Sequence, residues 1–272
     1  MGTMLQSRGL ALGQSPEEWN VERPAEIIAV HRAYIEAGAN AIQTNSFGGN
    51  RIRLDLHGWG DQADAVNVMA AKLARQAAGD GVLVGGSIGP TGSVLEPYGD
   101  LSFSEAKEAF EEQVRALAVG GVDYFIIETM SDLEEVRAAL EAVNDNTHLP
   151  AICTMTFDTR LHTMMGVSPE QAAKRLTELG ADLIGANCGN GPAEIETVIR
   201  QIREAVPDAL LAAQSNAGVP RLDGDRTVFD ATPQTMANYA LRMRDLGVKY
   251  IGACCGNTPT HIQSMAEALQ SR

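Results

Sequence analysis

Basic residues are scarce in this chain. Against 35 Asp and Glu there are 21 Lys and Arg in 272 residues, a formal net charge of −14, and no lysine- or arginine-rich stripe interrupts the balance. No nucleic-acid partner is expected, because a phosphate backbone needs a positive footprint. Long apolar runs are missing too, with no stretch of about 18 apolar residues, and the N-terminal MGTMLQSRGL lacks the basic-then-apolar layout of a secretory signal. Neither a membrane span nor export is expected, which leaves the cytoplasm as the default location. Cysteines number only four, yet Cys254 and Cys255 stand side by side in GACCGN. Adjacent cysteines pair only through an unusual eight-membered ring, and thiols stay free in a reducing compartment, so metal binding or burial is expected rather than a disulfide.

What is present is a repeated unit. Seven short apolar runs end in small or polar residues: 40–47, 82–90, 124–130, 151–158, 183–189, 210–218 and 250–256. Between them lie helical patterns such as SEAKEAFEEQVRALAVGG, where Ala106, Ala109, Phe110, Val114 and Leu117 make one apolar stripe. IEAGANAI, AVGGVDYF, TELGADLI and RDLGVKYI each read as helix, glycine cap, short turn and buried strand. A right-handed series of such α/β units closes at eight as a (β/α)8 TIM-type barrel. With 44% hydrophobic residues, positions 1–272 suit one barrel domain. Residues 1–20 contain no β run, so the first strand is expected to be missing or displaced.

Barrel chemistry sits where strands end. The polar strand endings Thr44, Asn45, Ser46, Ser87, Glu128, Thr129, Thr156, Asp158, Asn187, Cys188, Ser215, Asn216, Cys254 and Cys255 should then share one mouth. Cys188 in GANCGN and Cys254 and Cys255 in GACCGN would bring three thiolates together, three corners of a tetrahedral zinc site with the fourth open, while Cys153 reads as a small buried hydrophobe. An electron-rich zinc of that kind is a weak acid for polarising carbonyls, but it suits ionising a substrate thiol that stays nucleophilic. The reaction expected from the residues is alkyl transfer to that thiol.

At this point the residues resemble a family. MGTMLQSRG, IEAGANAIQTNSFGGN, GSIGPTG, EPYGDLS, IIETMSD, GANCGNGP, SNAG and GACCGNTPTHI are similar to the zinc-dependent homocysteine S-methyltransferases: the homocysteine module of cobalamin-dependent methionine synthase and the betaine– and S-methylmethionine–homocysteine methyltransferases. The resemblance implies a (β/α)8 barrel, zinc on Cys188, Cys254 and Cys255, and homocysteine bound through sulfur and methylated to methionine. It also implies that Glu128 is the acidic residue receiving the substrate ammonium, the candidate for both substrate binding and catalysis. Asn187, Ser87 and Gly89 are further candidates for polar contacts with substrate, and Asn45 and Asn216 serve either the substrate or loop amides. Family members begin with a strand ending in Asp-Gly directly before the segment that here reads MGTMLQ, which bears on barrel closure and on any contact of that aspartate with homocysteine.

The methyl donor is expected to be a methylcorrinoid protein, betaine or S-methylmethionine. A quaternary ammonium favours an aromatic cage, for which Trp19, Phe47, Trp59 and Tyr98 are the available side chains in or near loops. MGTMLQSRG and EPYGDLS lie closer to the methionine synthase module. An alternative is a zinc- and thiol-binding barrel without independent turnover, acting with a separate corrinoid or methyl-donor protein; self-association into a homo-oligomer is compatible with either. A (β/α)8 lyase using Glu128 as acid/base is weaker, since no strand-end lysine is available and His31, His57, His148, His162 and His261 lie outside the strand endings. GSIGPTG has no P-loop lysine and reads as a tight turn.

Overall fold

The computed structural model describes residues 1–223 and 226–271. All seven predicted runs form strands: β1 Ala41–Gln43, β2 Leu83–Ile88, β3 Tyr124–Met130, β4 Ala151–Met155, β5 Leu183–Cys188, β6 Leu211–Ser215 and, after a short hairpin of β7 (Arg221–Asp223) and β8 (Arg226–Val228), β9 Tyr250–Ala253. The seven pair in parallel in the order β1-β2-β3-β4-β5-β6-β9. Each connection crosses through a helix, as parallel neighbours require.

Local chemistry explains these units. The helix Phe103–Gly120 starts at a capping box between Ser102 and Glu105 and ends at Gly121 with φ 96°. It buries the predicted stripe, Ala106, Ala109, Phe110, Val114 and Leu117. The glycine in each of the four repeated phrases has positive φ: Gly38 at 98°, Gly121 at 96°, Gly180 at 81° and Gly247 at 76°. A residue with Cβ is strained there, so these glycines fix where each helix stops and the next strand begins.

The sheet curls. Tyr124 on β3 and Tyr250 on β9 lie four positions apart in strand order, yet their hydroxyls are 3.0 Å apart inside the curl. Gln43 Nε2 on β1 likewise donates to Gln214 Oε1 on β6 at 3.3 Å. Tyr124, Ile126, Ile152 and Ala212 form the inner apolar cluster, while the larger core lies between sheet and helices. The result is an incomplete (β/α)8 barrel. No strand precedes Ala41 among the described residues, where Gly2–Ser7, Trp19–Glu22 and Pro24–Glu36 are helical, and β1 and β9 are not paired with each other. The expected gap is therefore present. The helices Pro24–Glu36 and Pro259–Gln270 cover it from outside, with Tyr34 Oη donating to the Asn257 carbonyl at 2.6 Å.

Gly85 makes the interior testable. A Cβ there would lie 2.5 Å from Tyr124 Cζ, and Tyr124 is hemmed in by the opposite strand. Gly85→Ala is expected to lower stability by about 1–3 kcal/mol through overpacking, read as a lower denaturant midpoint. An unchanged midpoint would mean that the Tyr124–Tyr250 contact is loose.

The β7–β8 hairpin is absent from the predicted strands, although RLDGDRTV carries an Asp-Gly signal between short β-prone runs. No described helix is long and apolar enough to cross a membrane.

Candidate metal centre

Cys188 ends β5, and Cys254 and Cys255 follow β9, with β6 between the two strands. Their ligand atoms all lie within 4.8 Å of one another, and Cys254 and Cys255 Sγ are 4.0 Å apart. Three sulfurs at about 2.3 Å from a tetrahedral metal stand about 3.8 Å from each other, so the trio fits a metal with little adjustment. All three thiols are free and half-buried. Packed together the thiols shift one another: hydrogen bonding from Cys188 and Cys254 holds the Cys255 thiol down to about 3, and the Cys254 thiol, bonded to Cys255 and desolvated, is pushed well above its ordinary value. Ionising all three needs a cation. Cys153, by contrast, is fully buried, and burial pushes its thiol up.

The backbone is shaped for this convergence. Cys188 has φ 65° and is followed by Gly189 at 67°, so the chain leaves the regular strand where the sulfur must turn inward. The Cys254 amide donates to the Ser215 carbonyl at 2.8 Å and the Cys255 amide to Asn216 Oδ1 at 2.9 Å. Gly256 bends back at φ 78° against the Phe229 ring, which leaves no room for a side chain. Two adjacent cysteines thus reach one point because the flanking glycines release the strand alternation.

A cavity of about 800 Å³ contains the trio. It opens at the strand ends and continues along the gap between β1 and β9. Glu128, 6% exposed, lines it. Burial raises its carboxyl from 4.5 to about 7, opposed by a 2.5 Å hydrogen bond from Ser87 Oγ. Ser87 also lines the cavity, but its hydroxyl proton is committed to Glu128 and its amide donates to Thr44 Oγ1. Thr44, Asn45, Ser46 and Thr129 share the mouth as expected, whereas Thr156, Asp158, Asn187, Ser215 and Asn216 are not on the wall.

Asn187 is fully buried and acts as a clamp. Its Oδ1 accepts from the Thr129 amide at 2.7 Å and from Thr154 Oγ1 at 2.8 Å, and its Nδ2 donates to Thr129 Oγ1 at 2.6 Å. The same Nδ2 lies 3.9 Å from Cys254 Sγ. Thr129 has φ 61°, a strained value for a β-branched residue, and Asn187 holds it there next to Glu128. Gly89 is away from the wall: its amide donates to the Phe47 carbonyl at 2.8 Å, and a Cβ would lie 2.5 Å from the Phe47 ring. Asn45 bonds Pro16 and Asn20, and Asn216 bonds Gly189 and Cys255, so both satisfy loop groups. Of the four aromatic side chains considered for a cage, Phe47 alone lines the cavity. Trp19 is in a separate core cluster with Arg23 over its ring, and Tyr98 is 81% exposed.

Sequence reasoning missed Gln214, His31, Arg53 and His57, all on the wall. Gln214 sits one residue inside a strand end and only its inward side chain betrays it. The other three lie on or just after helices, where no strand-end rule applies.

The family model described as homocysteine S-methyltransferase matches residues 1–269. The chain belongs to the homocysteine S-methyltransferase family. Within it, this chain is 30% identical over 289 residues to the methionine synthase of Mycobacterium tuberculosis (strain ATCC 25618 / H37Rv), an alignment taking in 99% of this chain and 24% of that one. The methionine synthase of Mycobacterium leprae (strain TN) is 29% identical over the same length. The chain therefore spans about a quarter of the length of the curated relatives it matches. Among solved structures, the metallated form of the Escherichia coli homocysteine methyltransferase MmuM superposes with a TM-score of 0.81 at 24% identity, covering 98% of this chain and 93% of that one. That likeness shows the fold.

Proposed function

We propose that this homocysteine S-methyltransferase family member methylates homocysteine at sulfur, forming methionine, with zinc held by Cys188, Cys254 and Cys255 in a single barrel domain spanning 1–272. The observation that carries the reading is the trio of cysteine sulfurs within 4.8 Å, on the wall of a cavity that also holds a buried carboxylate. Zinc bound there supplies a soft Lewis acid that keeps a thiol ionised near neutral pH without quenching its nucleophilicity.

The protein's own residues do the rest. Glu128, as carboxylate, receives the homocysteine ammonium at a buried position where a charge-assisted hydrogen bond is strong. Ser87 fixes the Glu128 carboxylate through the 2.5 Å bond, and Asn187 locks the strained Thr129 and steadies Cys254. The thiol proton leaves to solvent, a sulfur lone pair attacks the methyl carbon in line, and the bond from that carbon to the donor heteroatom or metal breaks with its electrons going to the donor. Positioning of the two reactants supplies much of the rate. Free thiols of this kind persist in a reducing compartment, which supports the cytoplasm as the site of action.

A second reading has one observation in its favour. The matched methionine synthases are about four times as long as this chain, which supports a barrel whose methyl group comes from a corrinoid- or donor-binding unit outside residues 1–272. Both readings meet in one experiment: elemental analysis of the reduced protein, with methionine formation assayed from betaine, S-methylmethionine and a methylcorrinoid. About one zinc per chain and turnover with one donor is the expected result. Zinc with turnover only after a corrinoid protein is added selects the second reading, and protein that stays zinc-free when offered the metal sinks both.

A further inference from the structure

The gap in the barrel is bounded by two free strand edges. On β1 the Leu83 amide donates to the Asn40 carbonyl at 3.0 Å and the Thr44 amide to the Gly85 carbonyl at 2.9 Å. Asn40, Ile42 and Thr44 thus direct their backbone groups to β2, and strand alternation turns those of Ala41 and Gln43 to the gap. On β9 the Cys254 amide bonds Ser215 of β6, which turns Ile251 and Ala253 to the gap in the same way. No hydrogen bond outside the sheet reaches the backbone of these four residues among the described ones.

The cavity arm along this gap has two unlike walls. Val30, Ile262, Met265 and Leu269 line it from the covering helices, while Gln43 and Tyr250 line it from inside the curl. His31 lines it too, 2% exposed and with Nε2 bonded to nothing. Burial pushes that imidazole down to about 3, so the ring is neutral and its unpaired nitrogen costs free energy until a partner arrives. Rows of alternating N–H and C=O on both edges match, in partial charge and spacing, the backbone of an extended strand. An acyl chain would leave both rows unpaired. A second copy of the chain has no free strand to offer among the described residues, because β7 and β8 pair with each other and the other seven form the sheet.

We propose that the gap is a docking groove for one extended peptide strand from a polypeptide of other sequence, running parallel to β1 and β9, with apolar side chains turned to the helices and small polar ones turned inward. The occupant bonds both edges at once and brings polar backbone groups to His31. About five residues at about 3.3 Å each span the strands. Docking closes the side of the cavity between β1 and β9 and leaves the strand-end mouth to the reactants. The proposal goes beyond the methyltransferase reading and does not depend on it.

The test incubates the reduced full chain with a capped hexapeptide that alternates valine with threonine and reads amide hydrogen exchange residue by residue. Exchange at Ala41, Gln43, Ile251 and Ala253 is expected to slow roughly tenfold or more when the peptide is bound. The same peptide with its threonine amides N-methylated loses the bonds to one edge and is expected not to protect them. Ala41→Pro removes one donor facing the gap at the first residue of β1, where proline is tolerated. It is expected to weaken the peptide roughly threefold to tenfold with the denaturant midpoint kept. The proposal is overturned if the peptide leaves the four amides unprotected at millimolar concentration, or if the N-methylated peptide or a fatty acid protects them equally, which would make the groove merely apolar. Protection already present in the free protein and rising with its concentration would overturn it in favour of a second copy.

Discussion

Cys254→Ser is expected to abolish stable zinc binding and to cut methionine formation by more than about 100-fold, the loss exceeding what removing a metal's outer hydrogen-bond partner costs. Serine keeps the size of the side chain but stays protonated, and its oxygen is a poor ligand for a metal chosen by soft sulfur. The backbone should survive, because the Cys254 amide bond to Ser215 and the Cys255 amide bond to Asn216 do not involve the sulfur. Cys153→Ser supplies the contrast. That thiol is fully buried on β4 and outside the trio, so the exchange should keep zinc and turnover while costing about 1–3 kcal/mol of stability for a buried hydroxyl. Elemental analysis, turnover and a denaturant midpoint on the two variants separate ligand from packing. Equal zinc content in Cys254→Ser and wild type would remove Cys254 from the site, and with it the account of why two cysteines are adjacent.

The strands and the trio were legible in the sequence because both are local signals added along the chain. Each αβ unit carries its own glycine cap, and Gly38, Gly121, Gly180 and Gly247 occupy the left-handed conformation that the repeated phrases imply. The cysteines needed one further step, the barrel rule that strand ends meet. Direction at a strand end was not legible. Thr129 and Cys188 have left the β region, with φ 61° and 65°, so strand alternation no longer tells which neighbour points inward; Asn187 turns to clamp Thr129, and Gly89 sits under Phe47. Arg53 was invisible for another reason: it belongs to the helix Arg51–Asp55, and only Gly48 and Gly92, far apart in sequence and both against its side chain, bring it to the wall.

Glu128→Gln is expected to raise the homocysteine KM at pH 8 by roughly 10- to 150-fold, the 1.5–3 kcal/mol of a hydrogen bond to a charged group, with a smaller effect on kcat. The pH profile carries the stronger argument. Burial lifts the Glu128 carboxyl to about 7, so below that pH the free protein holds it protonated and unable to pair with the substrate ammonium. Wild-type affinity should fall about tenfold per unit below about 7 beyond whatever the thiol contributes, and this added slope of one proton should be missing in the variant. Stability moves the other way. A carboxyl whose folded value exceeds its unfolded value of about 4.5 stabilises the protein below pH 4.5 and loses that contribution as pH rises through about 7, a change on the order of 3 kcal/mol. At pH 8 the ligand-free variant, relieved of a desolvated charge, should therefore be more stable than the wild type while binding homocysteine less well. A purely structural glutamate would weaken both properties together, and that outcome would remove Glu128 from the substrate site.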